Sequence, residues 1–165
     1  MDYTGKLKEA LDFATEKHKG QYRKGGEEYI THPMAVCEML ANEGYDEDYL
    51  LSALFHDLLE DTDATEEEIL SHGNEDVLNA VKLLTKTKGY IMAEYISAIK
   101  NDPIAKTVKI ADRLHNLYCA VESTEEFRIR YIRESLEWYI DMDERILPAV
   151  IALNNSLSEP IEIDV

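Results

Sequence analysis

The sequence predicts an all-α protein, a compact single-domain fold of some eight to ten helices. Three observations predict it. Apolar residues recur at three- and four-residue spacing in segment after segment, the period of a helix that buries one face. Alternation of period two, the mark of a half-buried strand, is almost absent. The 165 residues, 45% of them apolar, suffice for one full hydrophobic core, and no linker, repeat or low-complexity tract divides them. The expected domain is residues 1–155, with 156–165 an extended or disordered C-terminal tail.

A first helix is expected over residues 3–19, where Leu7, Ala10, Leu11 and Ala14 keep step. Lys17, His18 and Lys19 suit its C-terminal dipole, and Gly20 can stop it. Residues 20–31, GQYRKGGEEYIT, read as a loop broken by Gly25-Gly26 and carrying the adjacent basic pair Arg23-Lys24. Pro33 suits the opening of a helix over Met34–Glu43, which leaves His32 at its entrance. Residues Tyr49–Asp63 read as one helix that is apolar nearly all round. Thr65 with Glu68 fits a capping box opening a short helix, and Glu75–Leu84 is amphipathic. Helices over 90–100 and from Pro103 follow. A long final helix is expected over 125–154, kinked or divided at Pro148.

Several function classes are disfavoured. A formal net charge of −17 gives no basic footprint for nucleic acid and no attraction to an anionic membrane. It leaves room for a small anionic ligand, because surface charge beyond ~8 Å is screened and a few cations can dominate a cleft. No apolar run is long enough to span a bilayer, and the N-terminal residues lack a secretory pattern. Cys37 and Cys119 form no pairing or metal motif, so reduced thiols and a cytoplasmic setting are expected. The final helix has apolar surface enough to pack within the domain or against a second copy.

Chemistry concentrates in Tyr49–Asp63. His56, Asp57, Glu60 and Asp61 sit in its apolar run, and at ~100° per residue His56 stacks on Glu60 and Asp57 on Asp61. Buried ionisable groups need a counter-ion, a partner cluster or a metal. A simpler reading is a helix end at Asp61-Thr62-Asp63 whose acids face water. Elsewhere His32 opens a helix, and Asp112 lies in KIADRLHN with Asn116 on the same face. Imidazoles and carboxylates without a thiolate suit Mn²⁺, Fe²⁺ or Zn²⁺ with positions left for water. Asp112 fits equally well as a solvated acid paired to Arg113 or Lys109. His18 and His115 read as neighbours or packing residues rather than ligands, and His72 as a surface residue.

The order H…HD…D resembles the HD superfamily of metal-dependent phosphohydrolases. KHKGQYRKGGEEYITHPMAV, ALFHDLLEDTDAT with EEI following, LTK and VKIADRLHNL together resemble the hydrolase domain of the Rel/Spo alarmone enzymes, nearest to their stand-alone small alarmone hydrolases. The likeness spans about residues 5–140. It implies an HD-domain fold, with His32, His56, Asp57 and Asp112 as ligands of a divalent ion, expected to be Mn²⁺. It implies Glu60 and Asp61 as the catalytic acidic pair. Arg23 would lie against a purine base, Lys24 would line the nucleotide pocket, and Asn116 would contact ribose or phosphate. The implied reaction removes the 3′-pyrophosphate of guanosine tetra- or pentaphosphate, giving GDP or GTP and pyrophosphate. The continuation LYCAVESTEEF departs from the family pattern, so another nucleotide is the alternative, such as NADPH losing its 2′-phosphate. A non-catalytic nucleotide sensor would have lost ligands or acids, and none is lost.

Overall fold

Ten α-helices, one 3₁₀ turn and a single isolated β-bridge make up the computed structural model, which describes residues 1–165. The helices are α1 Gly5–Lys17, α2 Thr31–Asn42, α3 Glu47–Phe55, α4 Leu58–Asp61 and α5 Glu66–His72. They continue with α6 Glu75–Leu84, α7 Met92–Lys100, α8 Pro103–Cys119, α9 Glu125–Trp138 and α10 Ile146–Asn154. The all-α expectation holds. The chain divides into two compact units, Met1–Ala111 and Asp112–Val165, and α8 runs through the division. No helix is long and apolar enough to cross a membrane. Both cysteines are free thiols.

In the first unit α3 is the hub. Every residue from Leu50 to Phe55 is buried, and α1, α2 and α6 all pack on it. A helix covered all round has no amphipathic face, and its sequence shows none. The capping box forms as expected: Thr65 Oγ1 accepts from Glu68 N at 3.2 Å, and Glu68 Oε2 accepts from Thr65 N at 2.9 Å. Together the two bonds satisfy donors that an uncapped helix would leave open.

Three boundaries differ from expectation. The Tyr49–Asp63 segment is not one helix. It breaks after Phe55, turns through His56 and Asp57, and resumes as the single turn α4. Asp57 has φ −103° and ψ −3°, in the bridge region between helix and strand. Helix α2 starts at Thr31, two residues before Pro33. Pro33 is tolerated in that first turn because its missing N–H would have had no intrahelical acceptor. Pro148 occupies the same third position of α10, so it divides nothing. The division of the final helix falls at 139–145, where Asp143 Oδ1 accepts from Arg145 N and Nε, both at 2.8 Å. Such local side-chain bonding competes with the helical ladder.

The second unit centres on a buried arginine. The Arg113 guanidinium lies 4.2 Å from the Tyr131 ring centroid and 3.8 Å from that of Tyr139, and Nη2 donates to Glu134 Oε1 at 2.6 Å. Ile132, Ile146, Val150 and Leu153 supply apolar packing. Residues 156–159 are turns and bends, 160–165 have no regular secondary structure, and the segment is tied down. Asn154 exchanges two hydrogen bonds with the backbone of Ile161, at 2.8 and 3.0 Å, and Ser158 Oγ donates to Glu125 Oε2 at 3.0 Å.

Candidate metal centre

The break between α3 and α4 places His56 and Asp57. His56 caps α3, and its ring folds back so that Nδ1 meets the Ala53 carbonyl at 2.6 Å. A carbonyl only accepts, so Nδ1 carries the proton, and a neutral ring would leave its lone pair on Nε2. That Nε2 lies 3.0 Å from Asp57 Oδ2. Two acceptors at that distance repel unless a proton or a cation lies between them.

His32 joins them from the first turn of α2. Its ring is buried and sits edge-on to His56, with centroids 5.2 Å apart. His32 Nε2 is 3.9 Å from the same Asp57 oxygen. Donor atoms of all three residues lie within 4.8 Å of one another. Two donors ~2.1 Å from one ion are ~3 Å apart at right angles and ~4 Å apart when opposed, so these spacings fit a first-row divalent ion. These two imidazoles and one carboxylate are three of the four ligands that the family resemblance implies; Asp112, the fourth, is not in this cluster.

The other expected residues fall as follows. Glu60 and Asp61 lie on α4. Glu60 Oε1 accepts from the Lys86 backbone N–H at 2.7 Å, and the Asp61 carbonyl accepts from Gln21 Nε2 at 2.8 Å. Arg23 lies in the 20–30 loop, its guanidinium 5.9 Å from the centroid of the Tyr29 ring, and Lys24 beside it is exposed. The loop is a tight double-back closed by the Tyr22–Glu28 bridge, with Arg23 N donating to Glu27 O at 2.7 Å. In the second unit Asp112 is buried, and Asn116 Nδ2, one turn on, donates to its Oδ1 at 2.9 Å. The i,i+4 relation between them is as expected.

Tyr29 and Gln21 have no role assigned by the sequence, and His18 is expected there only as a neighbour or packing residue. Tyr29 donates its hydroxyl to Asp57 Oδ2 at 2.6 Å. His18 is buried, its ring 4.8 Å from that of Tyr29. Burial holds His18 below the usual imidazole range, against the Gln21 hydrogen bond and the Asp57 charge, which pull it up. Gln21 links the set, since its amide nitrogen serves Asp61 and its oxygen meets His18 Nδ1 at 2.8 Å. The signal for Tyr29 was its place three residues before His32 in the EEYITHP run, where a turn brings i and i+3 together.

A family model described as "HD domain" matches residues 10–146. The chain belongs to the HD domain family. It is 37% identical over 161 residues to the guanosine-3′,5′-bis(diphosphate) 3′-pyrophosphohydrolase of Aquifex aeolicus (strain VF5), covering 93% of this chain and 23% of that one. It is 35% identical over 156 residues to the bifunctional (p)ppGpp synthase/hydrolase SpoT of Escherichia coli (strain K12), covering 88% of this chain and 22% of that one. The chain thus spans less than a quarter of the length of these two curated relatives. A solved structure reported under the words "A metazoan ortholog of SpoT hydrolyzes ppGpp and plays a role in starvation responses" superimposes with a TM-score of 0.75. Identity there is 26%, covering 94% of this chain and 97% of that one. The HD fold expected from the motifs is therefore the fold of this chain.

Proposed function

We propose that this HD domain is a metal-dependent phosphohydrolase that removes the 3′-pyrophosphate of guanosine tetra- or pentaphosphate, releasing pyrophosphate and GDP or GTP. One observation carries the reading: His32 and His56 converge on a single oxygen of Asp57, and the His56 ring is fixed by its Nδ1 contact to the Ala53 carbonyl so that Nε2 faces that oxygen. The relatives named as (p)ppGpp hydrolases support the choice of substrate.

His32, His56 and Asp57 would hold the ion, proposed to be Mn²⁺, and the VKIADRLHN motif adds Asp112 as a ligand. When bound, a divalent ion supplies Lewis acidity, acidifying water and offsetting phosphate charge. The protein's residues do the rest. Glu60 and Asp61 form the acidic pair that manages protons: one carboxyl takes a proton from the attacking water, and the other gives one to the leaving oxygen. Arg23 offers a planar cation that stacks on a purine, and Lys24 a point charge for phosphate. Asn116 is the proposed contact to ribose or phosphate. The two free cysteines agree with a cytoplasmic setting.

The test offers the Mn²⁺-loaded protein guanosine tetraphosphate and NADPH in parallel and follows pyrophosphate and phosphate release. Pyrophosphate release from the tetraphosphate is expected, lost in Asp57→Ala, with stoichiometric metal lost in His56→Ala. No release from the tetraphosphate, or release that survives Asp57→Ala, overturns the proposal. Phosphate released from NADPH alone moves the substrate to the alternative nucleotide.

A further inference from the structure

Tyr29 touches two of the three residues that converge at the centre. Its hydroxyl donates to Asp57 Oδ2 at 2.6 Å, and its ring lies edge-on to His32, with centroids 6.0 Å apart. The same Asp57 oxygen is the one that faces His56 Nε2 at 3.0 Å and His32 Nε2 at 3.9 Å. A carboxylate oxygen has two lone pairs. Tyr29 occupies one and leaves the other directed at the imidazoles. Without that bond, the Asp57 carboxylate could turn about its broad terminal torsion.

The tyrosine itself is held from both sides. Its N–H donates to Gln21 O at 2.8 Å, and its carbonyl accepts from His32 N at 3.0 Å. Its ring packs against His18, whose Nδ1 meets Gln21 Oε1 at 2.8 Å. Because Gln21 gives its amide nitrogen to the Asp61 carbonyl, its oxygen is the acceptor and His18 Nδ1 the donor. The bracing runs His18 to Gln21 on one side and His18 to Tyr29 to Asp57 on the other, so the hydroxyl is aimed by a rigid frame.

We propose that Tyr29 is a positioning residue of the metal centre: its hydroxyl locks Asp57 in the orientation that binds a divalent ion, with His18 and Gln21 as its brace. The proposal rests on the metal reading of His32, His56 and Asp57. Partners of this kind in general hold a ligand in its binding rotamer, and their loss weakens metal affinity roughly 10–100-fold.

The test is Tyr29→Phe, which keeps the ring and removes only the O–H. Mn²⁺ affinity is measured by titration calorimetry on metal-free wild type and variant, alongside metal-free melting and the absorption spectrum of the Co²⁺-loaded proteins. The expected result is roughly 10–100-fold weaker Mn²⁺ binding, a shifted Co²⁺ spectrum and an unchanged metal-free melting temperature. Wild-type affinity with an unchanged Co²⁺ spectrum overturns the role of Tyr29 and leaves the metal reading intact. Wild type that binds no Mn²⁺ or Co²⁺ overturns the metal reading and this proposal with it. If the variant melts lower, the Co²⁺ spectrum at saturating metal still decides, because it reports coordination rather than stability.

Discussion

The Glu60 carboxylate accepts a 2.7 Å hydrogen bond from the backbone N–H of Lys86, 26 residues further along the chain. The donor lies in the connector after α6, which is itself pinned. Tyr95 donates its hydroxyl to Leu84 O at 3.1 Å, and the Lys86 ammonium sits 5.4 Å from the Tyr90 ring centroid and 5.5 Å from that of Tyr95. A charge-assisted bond from a fixed amide gives Glu60 an orientation that a free surface carboxylate lacks.

Glu60→Gln separates that structural bond from the proposed chemistry. The amide oxygen still accepts from Lys86, but the group can no longer exchange a proton. Hydrolysis is expected to fall by roughly 10²–10⁴-fold, the usual contribution of a positioned acid or base, while Mn²⁺ affinity and melting temperature stay at wild-type values. Pyrophosphate release measured beside metal titration checks this. Wild-type turnover in the variant would remove Glu60 from the proton-handling pair.

Arg113 predicts a stability effect. Its guanidinium is sandwiched by Tyr131 and Tyr139, and it bonds to Glu134 at 2.6 Å and to Ser135 at 3.3 Å. Arg113→Ala loses the stacking, leaves a cavity between the rings and strands the glutamate, whose partial exposure softens the loss. A cost of roughly 2–4 kcal/mol is expected from urea unfolding. Arg113→Lys recovers only part of it, because an ammonium cannot stack as a plane or bond in a fork. A variant as stable as wild type would show that the sandwich contributes nothing net.

His18 predicts a pH dependence. Burial holds its folded-state pKa below the unfolded value of ~6.5. Below that pH the unfolded chain therefore takes up a proton that the folded chain refuses. By linkage, this part of the stability is present above pH ~6.5 and is lost as pH falls through the folded-state value. Melting of the metal-free protein from pH 7.5 to 5.5 is expected to show a declining temperature, with a shallower decline in His18→Asn. Asparagine can still donate to Gln21 but does not titrate. Equal slopes in the two proteins would show that His18 charges freely in the fold.

Much of the architecture is legible in local chemistry. The Thr65/Glu68 box and the amphipathic run Glu75–Leu84 depend on neighbours within a turn or two, and both are found where the residues place them. The break at His56-Asp57 was not legible. Helical periodicity continues across it, and the contacts found at the break, of His32 with His56 and of Tyr29 with Asp57, come from residues 24 and 28 positions away. Pro148 misled for a related reason. Proline breaks a helix interior, but the actual start of α10 at Ile146 puts it in the first turn, where no bond is lost.

The amino-acid sequence alone determined the all-α class and the capped helices, and its family resemblance supplied His32, His56, Asp57 and Asp112 as a candidate ligand set. Helical period, capping and donor type are properties of residue identity and short spacing. Tertiary structure alone decided that α3 ends at Phe55, that one oxygen of Asp57 faces both imidazoles, that Glu60 is held by a distant amide and that Tyr29 donates to that same Asp57 oxygen. These are contacts between segments far apart in the chain. Their geometry is set by how the helices pack on α3, and no local periodicity encodes it.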